Sequence, residues 1–123
     1  MIISCNLFVK DKNLGNFFVL SEYDNIDRRI LYTKDGNSNL GIEVVPMTVI
    51  EYANNSKWII AKSSKSRFEN NYGYWIIDKE FDKSKNLENI IINIKPYVLG
   101  PIDSLTFIKK LAEQKINLTL KKI

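Results

Sequence analysis

Short apolar runs separated by polar turn residues fill most of the chain before residue 80, and this pattern is typical of β-strands. The clearest hairpin signal is Asn54-Asn55-Ser56, because asparagine tolerates the left-handed backbone conformation of a tight turn. The segment 11–16 is polar and contains Gly15, so we expect it to form a loop. The predicted strands are 17–20, 28–33, 41–45, 48–53, 57–62, 72–79, 97–99 and 116–121.

Apolar residues between positions 84 and 95 recur at helical spacing, with Pro96 as a stop signal. The β-branched run at 90–92 is equally typical of a strand. The sequence pattern therefore does not decide between a helix and a strand for residues 84–95. The positions at helical spacing are Leu87, Ile90, Ile91 and Ile94.

A second amphipathic segment follows Gly100-Pro101. Proline fixes its own φ and biases the preceding residue away from the helical region, so the strand before it is expected to end there. Asp103 or Ser104 can then cap a helix. We expect the apolar face of this helix to pack on the sheet. That face consists of Leu105, Ile108, Leu111 and Ala112, with Phe107 beside it.

Antiparallel strands followed by one or two helices predict an α+β fold, in which an antiparallel β-sheet carries the helices on one face. The chain has 123 residues and no internal repeat or linker, so residues 1–123 are expected to form a single domain. Its 45% apolar and 26% charged content is ordinary for a globular protein.

The charged and reactive residues exclude several functional classes. The net charge is only +4, and lysine supplies fifteen of the eighteen basic residues, whereas proteins that read phosphates and bases favour arginine. The chain has no histidine and one cysteine, which excludes zinc sites built from these residues and histidine-dependent nucleophilic catalysis. We therefore expect no enzymatic activity, no metal and no cofactor.

The single cysteine, Cys5, follows Ile2-Ile3-Ser4, a pattern like that at which bacterial lipoproteins are cleaved and lipidated. Such a signal needs a basic region and about 7–15 apolar residues before the cleavage site. Only four residues precede Cys5. If Met1 is the true start, a short strand with a small buried cysteine and a cytoplasmic location are favoured. An upstream signal would make Cys5 a lipidation site in the cell envelope.

Asp78, Glu80 and Asp82 alternate, so their carboxylates share one side of an extended chain. A hydrolase that used them would need one raised pKa and a cleft. Lysines interleaved with the three carboxylates favour ionised, screened groups at a solvated strand end. Those lysines are Lys79, Lys83 and Lys85.

The same run has acidic or hydroxyl residues at alternate positions, as a calcium-binding loop does. That motif requires glycine at its sixth position and glutamate at its twelfth. Here those positions hold Lys83 and Asn89, so the run is not a calcium site.

Basic and aromatic residues lie close together between positions 62 and 75. Such interleaving can bind single-stranded nucleic acid through charge and stacking, but a lysine-rich loop that leads into a core strand is the more common explanation. If this region contacts a partner, the candidate residues are Lys62, Lys65, Arg67, Phe68 and Tyr72.

Trp75-Ile76-Ile77-Asp78-Lys79, Leu99-Gly100-Pro101-Ile102-Asp103-Ser104 and the hairpin strand 57–62 resemble an uncharacterised family of small bacterial proteins. Members of that family often carry a lipoprotein-type cysteine near the start. The resemblance implies no catalytic residues, because the family has no established activity.

The sequence as a whole predicts a non-catalytic domain that binds another protein. An immunity or inhibitor protein that covers the acidic site of a toxin or enzyme fits the small size and basic charge. The alternatives are an envelope lipoprotein with a structural or sensing role and a weak binder of single-stranded nucleic acid.

Overall fold

The structure is a computed structural model that describes residues 10–22, 27–33, 41–65, 71–80 and 93–123. These residues form two antiparallel sheets and a helix that packs on one of them, so the predicted α+β class is confirmed. Sheet 1 has the order β1-β2-β3-β4, and sheet 2 has the order β8-β7-β6-β5-β9. The strands of sheet 1 are β1 (Lys10–Gly15), β2 (Phe18–Glu22), β3 (Arg28–Tyr32) and β4 (Ile42–Val45). The strands of sheet 2 are β5 (Val49–Asn54), β6 (Trp58–Ser64), β7 (Tyr72–Asp78), β8 (Val98–Ile102) and β9 (Lys121–Lys122). A 3-10 helix (Lys95–Tyr97) precedes β8, and the α-helix α1 (Ser104–Glu113) follows it.

The main hydrophobic core lies between the two sheets. Because successive side chains of a strand point to opposite faces, every second residue of the central strands enters this core. The buried residues of sheet 1 that form it are Leu14, Phe18, Leu20, Ile30, Tyr32 and Val45, and those of sheet 2 are Val49, Ile59, Ala61, Trp75 and Ile77.

A second core lies on the opposite face of sheet 2, under α1. Ile60 and Ile76 point to this side and pack against Phe107 of the helix and Ile116 of the C-terminal segment. Strands β6 and β7 are apolar at consecutive positions because both of their faces are covered, as the sequence predicted.

The prediction of a loop at 11–16 is wrong for residues 11–15, because they belong to β1 and this strand pairs with β2, while Asn16 lies in the turn that follows. The strand is polar since it lies at the edge of sheet 1, where charged residues are tolerated and discourage further pairing. Its one large apolar residue, Leu14, is buried between the sheets.

The prediction that the strand ends at Gly100-Pro101 is also wrong, because β8 continues through both residues to Ile102. Strand β8 lies at the edge of sheet 2, and an edge strand tolerates a proline that donates no hydrogen bond. Gly100 has φ +149°, and a Cβ there would lie 2.6 Å from the Trp75 ring. Only glycine fits this close approach.

Helix α1 begins where the sequence predicted, but it turns a different face to the sheet. Asp103 is the N-cap, and its Oδ1 accepts a hydrogen bond from the Thr106 amide at 2.7 Å. Phe107 is only 4% exposed and its ring lies 5.0 Å from that of Tyr74, whereas Leu105 is 80% and Ile108 61% exposed. The predicted packing of Leu105 and Ile108 on the sheet is therefore wrong, and half-buried Leu111 is the one predicted face residue that packs there.

The last predicted strand is shorter than expected. Only Lys121–Lys122 pairs with β5, although Ile116, Leu118 and Leu120 alternate towards the second core as a strand would. In the segment left open between helix and strand, Asn93 and Ile94 are helical, and residues 84–92 lie outside the described part of the chain.

The turn between β1 and β2 has an unusual backbone conformation. Its central residues, Asn16 and Phe17, have φ of 54° and 69°, which is the conformation of a two-residue hairpin turn that matches the twist of the strands. Asparagine tolerates a positive φ, but a bulky residue such as phenylalanine rarely adopts it. The turn therefore places Phe17 under conformational strain.

We expect the Phe17→Gly variant to be more stable than Phe17→Ala by about 1 kcal/mol, because glycine adopts a positive φ without steric penalty. Both substitutions remove the ring, so any contacts of the ring cancel in the comparison. Urea unfolding of the two variants measures the difference. Equal stabilities would show that this turn does not have the described conformation.

Candidate partner-binding surface

Strands β6 and β7 bring Lys62 and two tyrosines together on the face of sheet 2 that also carries α1. Lys62 and Tyr74 are cross-strand partners, and the Lys62 Nζ lies 4.2 Å from the centre of the Tyr72 ring and 5.8 Å from that of Tyr74. The Glu51 carboxylate lies 3.5 Å from the same Nζ. Lys62 therefore orders the tyrosine rings, and Glu51 already compensates its charge.

A shallow cavity of about 260 Å³ opens at the end of the β6–β7 pair, beside Tyr72. Its floor is rigid, because the buried Trp75 indole donates a hydrogen bond to the Ser63 hydroxyl at 2.8 Å. Exposed Tyr72 and Met47 form apolar walls, and Lys65 lies at the rim without an ion pair to any described residue. The cavity thus combines apolar walls with one uncompensated positive charge.

Three of the residues that the sequence singled out meet here: Lys65 and Tyr72 line the cavity, and Lys62 lies on the Tyr72 ring. The other predicted contact residues, Arg67 and Phe68, and the candidate lipidation site Cys5 lie outside the described residues.

The outer side of α1 forms a second exposed apolar surface, which we call the outer stripe: Leu105, Ile108 and Ala112. These residues are three and four positions apart, so they lie along one side of the helix. All three are exposed. Strand β8 pairs Ile102 with Tyr74 and leads directly into the helix, so the stripe begins at the end of sheet 2 where Tyr72 and Tyr74 lie.

Sequence reasoning missed the exposure of the outer stripe, although a signal was present. Leu105 and Phe107 are two residues apart and therefore about 200° apart around a helix of 3.6 residues per turn. They cannot both face the sheet. The pattern required one of the two side chains to be exposed. The larger one, the aromatic ring of Phe107, fills the space between α1 and sheet 2.

The carboxylates Asp78 and Glu80 lie beside Lys57 at the end of β7, while Asp82 is outside the described residues. The Lys57 Nζ lies 3.1 Å from Glu80 and 3.7 Å from Asp78, and these groups raise the pKa of Lys57, with the hydrogen bond that Lys57 donates to Glu80 as the main cause. The sequence suggested that the interleaved Lys79 screens these carboxylates. It does not, because its side chain is buried on the other side. Lys57 takes that role.

Among the described residues, no group of three or more acidic, cysteine or histidine side chains is placed to hold a metal ion. No helix in the described part of the chain is long and apolar enough to cross a membrane. Comparison with family models, with curated proteins and with solved structures found no match to this chain.

Proposed function

We propose that this protein is a non-catalytic domain that binds another protein through the outer stripe. The observation that carries the proposal is the exposure of Leu105 and Ile108, 80% and 61%, on a helix whose other face packs in the second core through Phe107. Large aliphatic residues that adjoin on one helix face and stay in water are typical of a surface that a partner covers.

The charges around the outer stripe indicate the chemistry of the partner. Lys109 follows Leu105 by four residues, so it lies beside the stripe, and it forms no ion pair within the described part of the chain. Lys65, which also has no ion pair among the described residues, adds a second positive charge at the Tyr72 cavity. A partner with an apolar groove and an acidic rim would fit this surface. An immunity or inhibitor protein needs such a surface to cover an acidic site on a toxin or enzyme. Charge complementarity between the two proteins would speed their encounter.

The proposal predicts that the double variant Leu105→Ser/Ile108→Ser loses partner binding by about tenfold or more, which is about 1.4 kcal/mol. Stability should stay close to that of the original protein, because both side chains are already in water. The candidate partners are the products of adjacent genes, tested as purified proteins by calorimetric titration. The control is Ile123→Ser, which replaces an exposed aliphatic residue outside α1 by the same residue and likewise leaves the net charge unchanged.

Two results would contradict the proposal. One is that no neighbouring gene product binds, or that a bound one is retained equally by the stripe variant and the control. The other is that the protein forms a dimer which the stripe variant abolishes, because the outer stripe would then be covered by a second copy of the same chain. Analytical ultracentrifugation of the protein alone distinguishes these outcomes.

A further inference from the structure

A groove separates the C-terminal segment from the edge of sheet 2. The segment runs along β5 but pairs with it only at Lys121 and Lys122, opposite Tyr52 and Glu51. Towards Asn54 the two backbones diverge and leave a groove of about 550 Å³. Binding sites for small molecules typically have volumes of about 300–1,000 Å³, so the groove is large enough to hold one.

The groove is lined by charges of one sign. Lys12, Lys121 and Lys122 line it, and none of the described acidic side chains does. None of the three lysines forms an ion pair with a described residue. A cleft that carries one sign of charge focuses its field and concentrates ligands of the opposite sign.

The lysines of the groove come from two distant parts of the chain, β1 and β9, and are held by the fold. Lys12 belongs to β1 of sheet 1, and its Nζ lies 5.3 Å from the centre of the Tyr52 ring in sheet 2. The attraction between the ammonium group and the ring holds the Lys12 side chain across the gap between the sheets. The pairing of Lys121 with Tyr52 fixes the other end of the groove. The uncharged polar residues of the lining, which can donate further hydrogen bonds, are Asn54, Asn117 and Thr119.

Carboxylates also lie beside the groove. Glu51 is the cross-strand neighbour of Lys122, and Lys62 compensates it at 3.5 Å. Two more line an adjoining hollow that shares Lys12 and Lys122 with the groove. One of them, Glu22, is held by Arg28 at 2.5 Å and is therefore compensated. Asp11 is the other. Among the described residues, Asp11 is thus the one carboxylate of the hollow without an ion pair, beside three lysines without one, so positive charge is in excess there.

We propose that this groove binds a small polyanion, a ligand with several negative charges close together, such as a polyphosphate or polycarboxylate group. Lysine ammonium groups bind such ligands as point charges that do not require planar geometry. The Tyr52 ring and the Asn117–Thr119 backbone form the two walls between which the ligand lies. This site is separate from the outer stripe, and its occupation does not depend on a protein partner.

Calorimetric titration with inorganic tripolyphosphate and with citrate tests the proposal and distinguishes the two ligand chemistries. We expect saturable binding of at least one of them and none of acetate. Substituting Lys12, Lys121 and Lys122 together by glutamine should weaken binding by about tenfold or more. The matched control replaces Lys95, Lys109 and Lys115 by glutamine, which lowers the net charge equally, and should bind as the original protein does.

Equal weakening in both triple variants would show attraction by net charge alone and would overturn the proposal, as would the absence of saturable binding of both ligands. All six lysines are exposed, so both variants are expected to fold, and thermal unfolding verifies this. As a second measurement, the amide resonances of Asn117 and Thr119 should shift on addition of the ligand, and those of α1 should not.

Discussion

Replacing Phe107 with alanine is expected to lower the free energy of unfolding by about 3–5 kcal/mol, the range for removing a buried aromatic ring. Phe107 is the buried residue of α1 and joins Ile60, Ile76 and Ile116 in the second core. Its ring also contacts Tyr74, with 5.0 Å between the ring centres. Alanine at this position would leave a cavity and would loosen the attachment of the helix to sheet 2. Urea unfolding with a shared slope measures the change.

The neighbouring apolar residues of α1 are the controls for this experiment. Leu105→Ala and Ile108→Ala should each change stability by only about 0.5 kcal/mol, because both side chains are largely in water. Leu111→Ala should fall between these values and that of Phe107→Ala, since Leu111 is half-buried. If Leu105→Ala proved as damaging as Phe107→Ala, the helix would lie on the sheet with the face that its apolar spacing first suggested.

Elements that depend on neighbours in sequence were predicted well. The β5–β6 hairpin turns at Asn55, whose side chain accepts hydrogen bonds from the amides of Lys57 and Trp58 at 2.9 and 2.8 Å. The start of α1 likewise depends on Asp103, which caps the helix three residues before Thr106. Both signals lie within four residues of the structure that they determine. A local pattern is therefore sufficient to predict them.

Elements that depend on distant parts of the chain were not predicted. Strand β1 is polar and has little propensity of its own, and it is a strand because β2 offers an unpaired edge. The α+β class followed from the order of elements, but the division into two sheets is decided by packing across the core. The lysine groove unites Lys12 with residues more than 100 positions later, so no motif could indicate it. Lys65 and Tyr72, which line one cavity, could be grouped from the sequence because they are only seven positions apart.

Lys79 is a buried lysine that joins the two sheets. It is only 3% exposed, and its Nζ donates a hydrogen bond to the Leu14 carbonyl oxygen at 2.5 Å. Asn54 donates to the same oxygen at 3.1 Å. No carboxylate pairs with Lys79 among the described residues, because the adjacent Asp78 and Glu80 both lie with Lys57. Burial accordingly lowers the pKa of Lys79 from its ordinary value of 10.5.

The burial of this unpaired charge should destabilise the fold at neutral pH. We expect Lys79→Met, whose unbranched side chain is one atom shorter and uncharged, to raise the free energy of unfolding by about 1–4 kcal/mol, the range for replacing buried ionic groups by apolar residues. The Leu14 oxygen would keep Asn54 as a donor, so the substitution leaves no buried acceptor unpaired. A loss of stability would show instead that the ammonium group holds the sheets together.

The dependence on pH separates the charge of Lys79 from the packing of its chain. Because its pKa is lower in the folded protein than in the unfolded chain, the unfolded chain binds more protons between the two pKa values. The stability of the original protein must therefore rise with pH across that interval, relative to Lys79→Met. The advantage of the variant should be largest below the folded pKa and should shrink as the pH approaches 10.5. Unfolding of both proteins over a series of alkaline pH values measures this difference, in which the titration of all other groups cancels. A gap that stays constant with pH would show that the pKa of Lys79 is the same in the folded protein and in the unfolded chain.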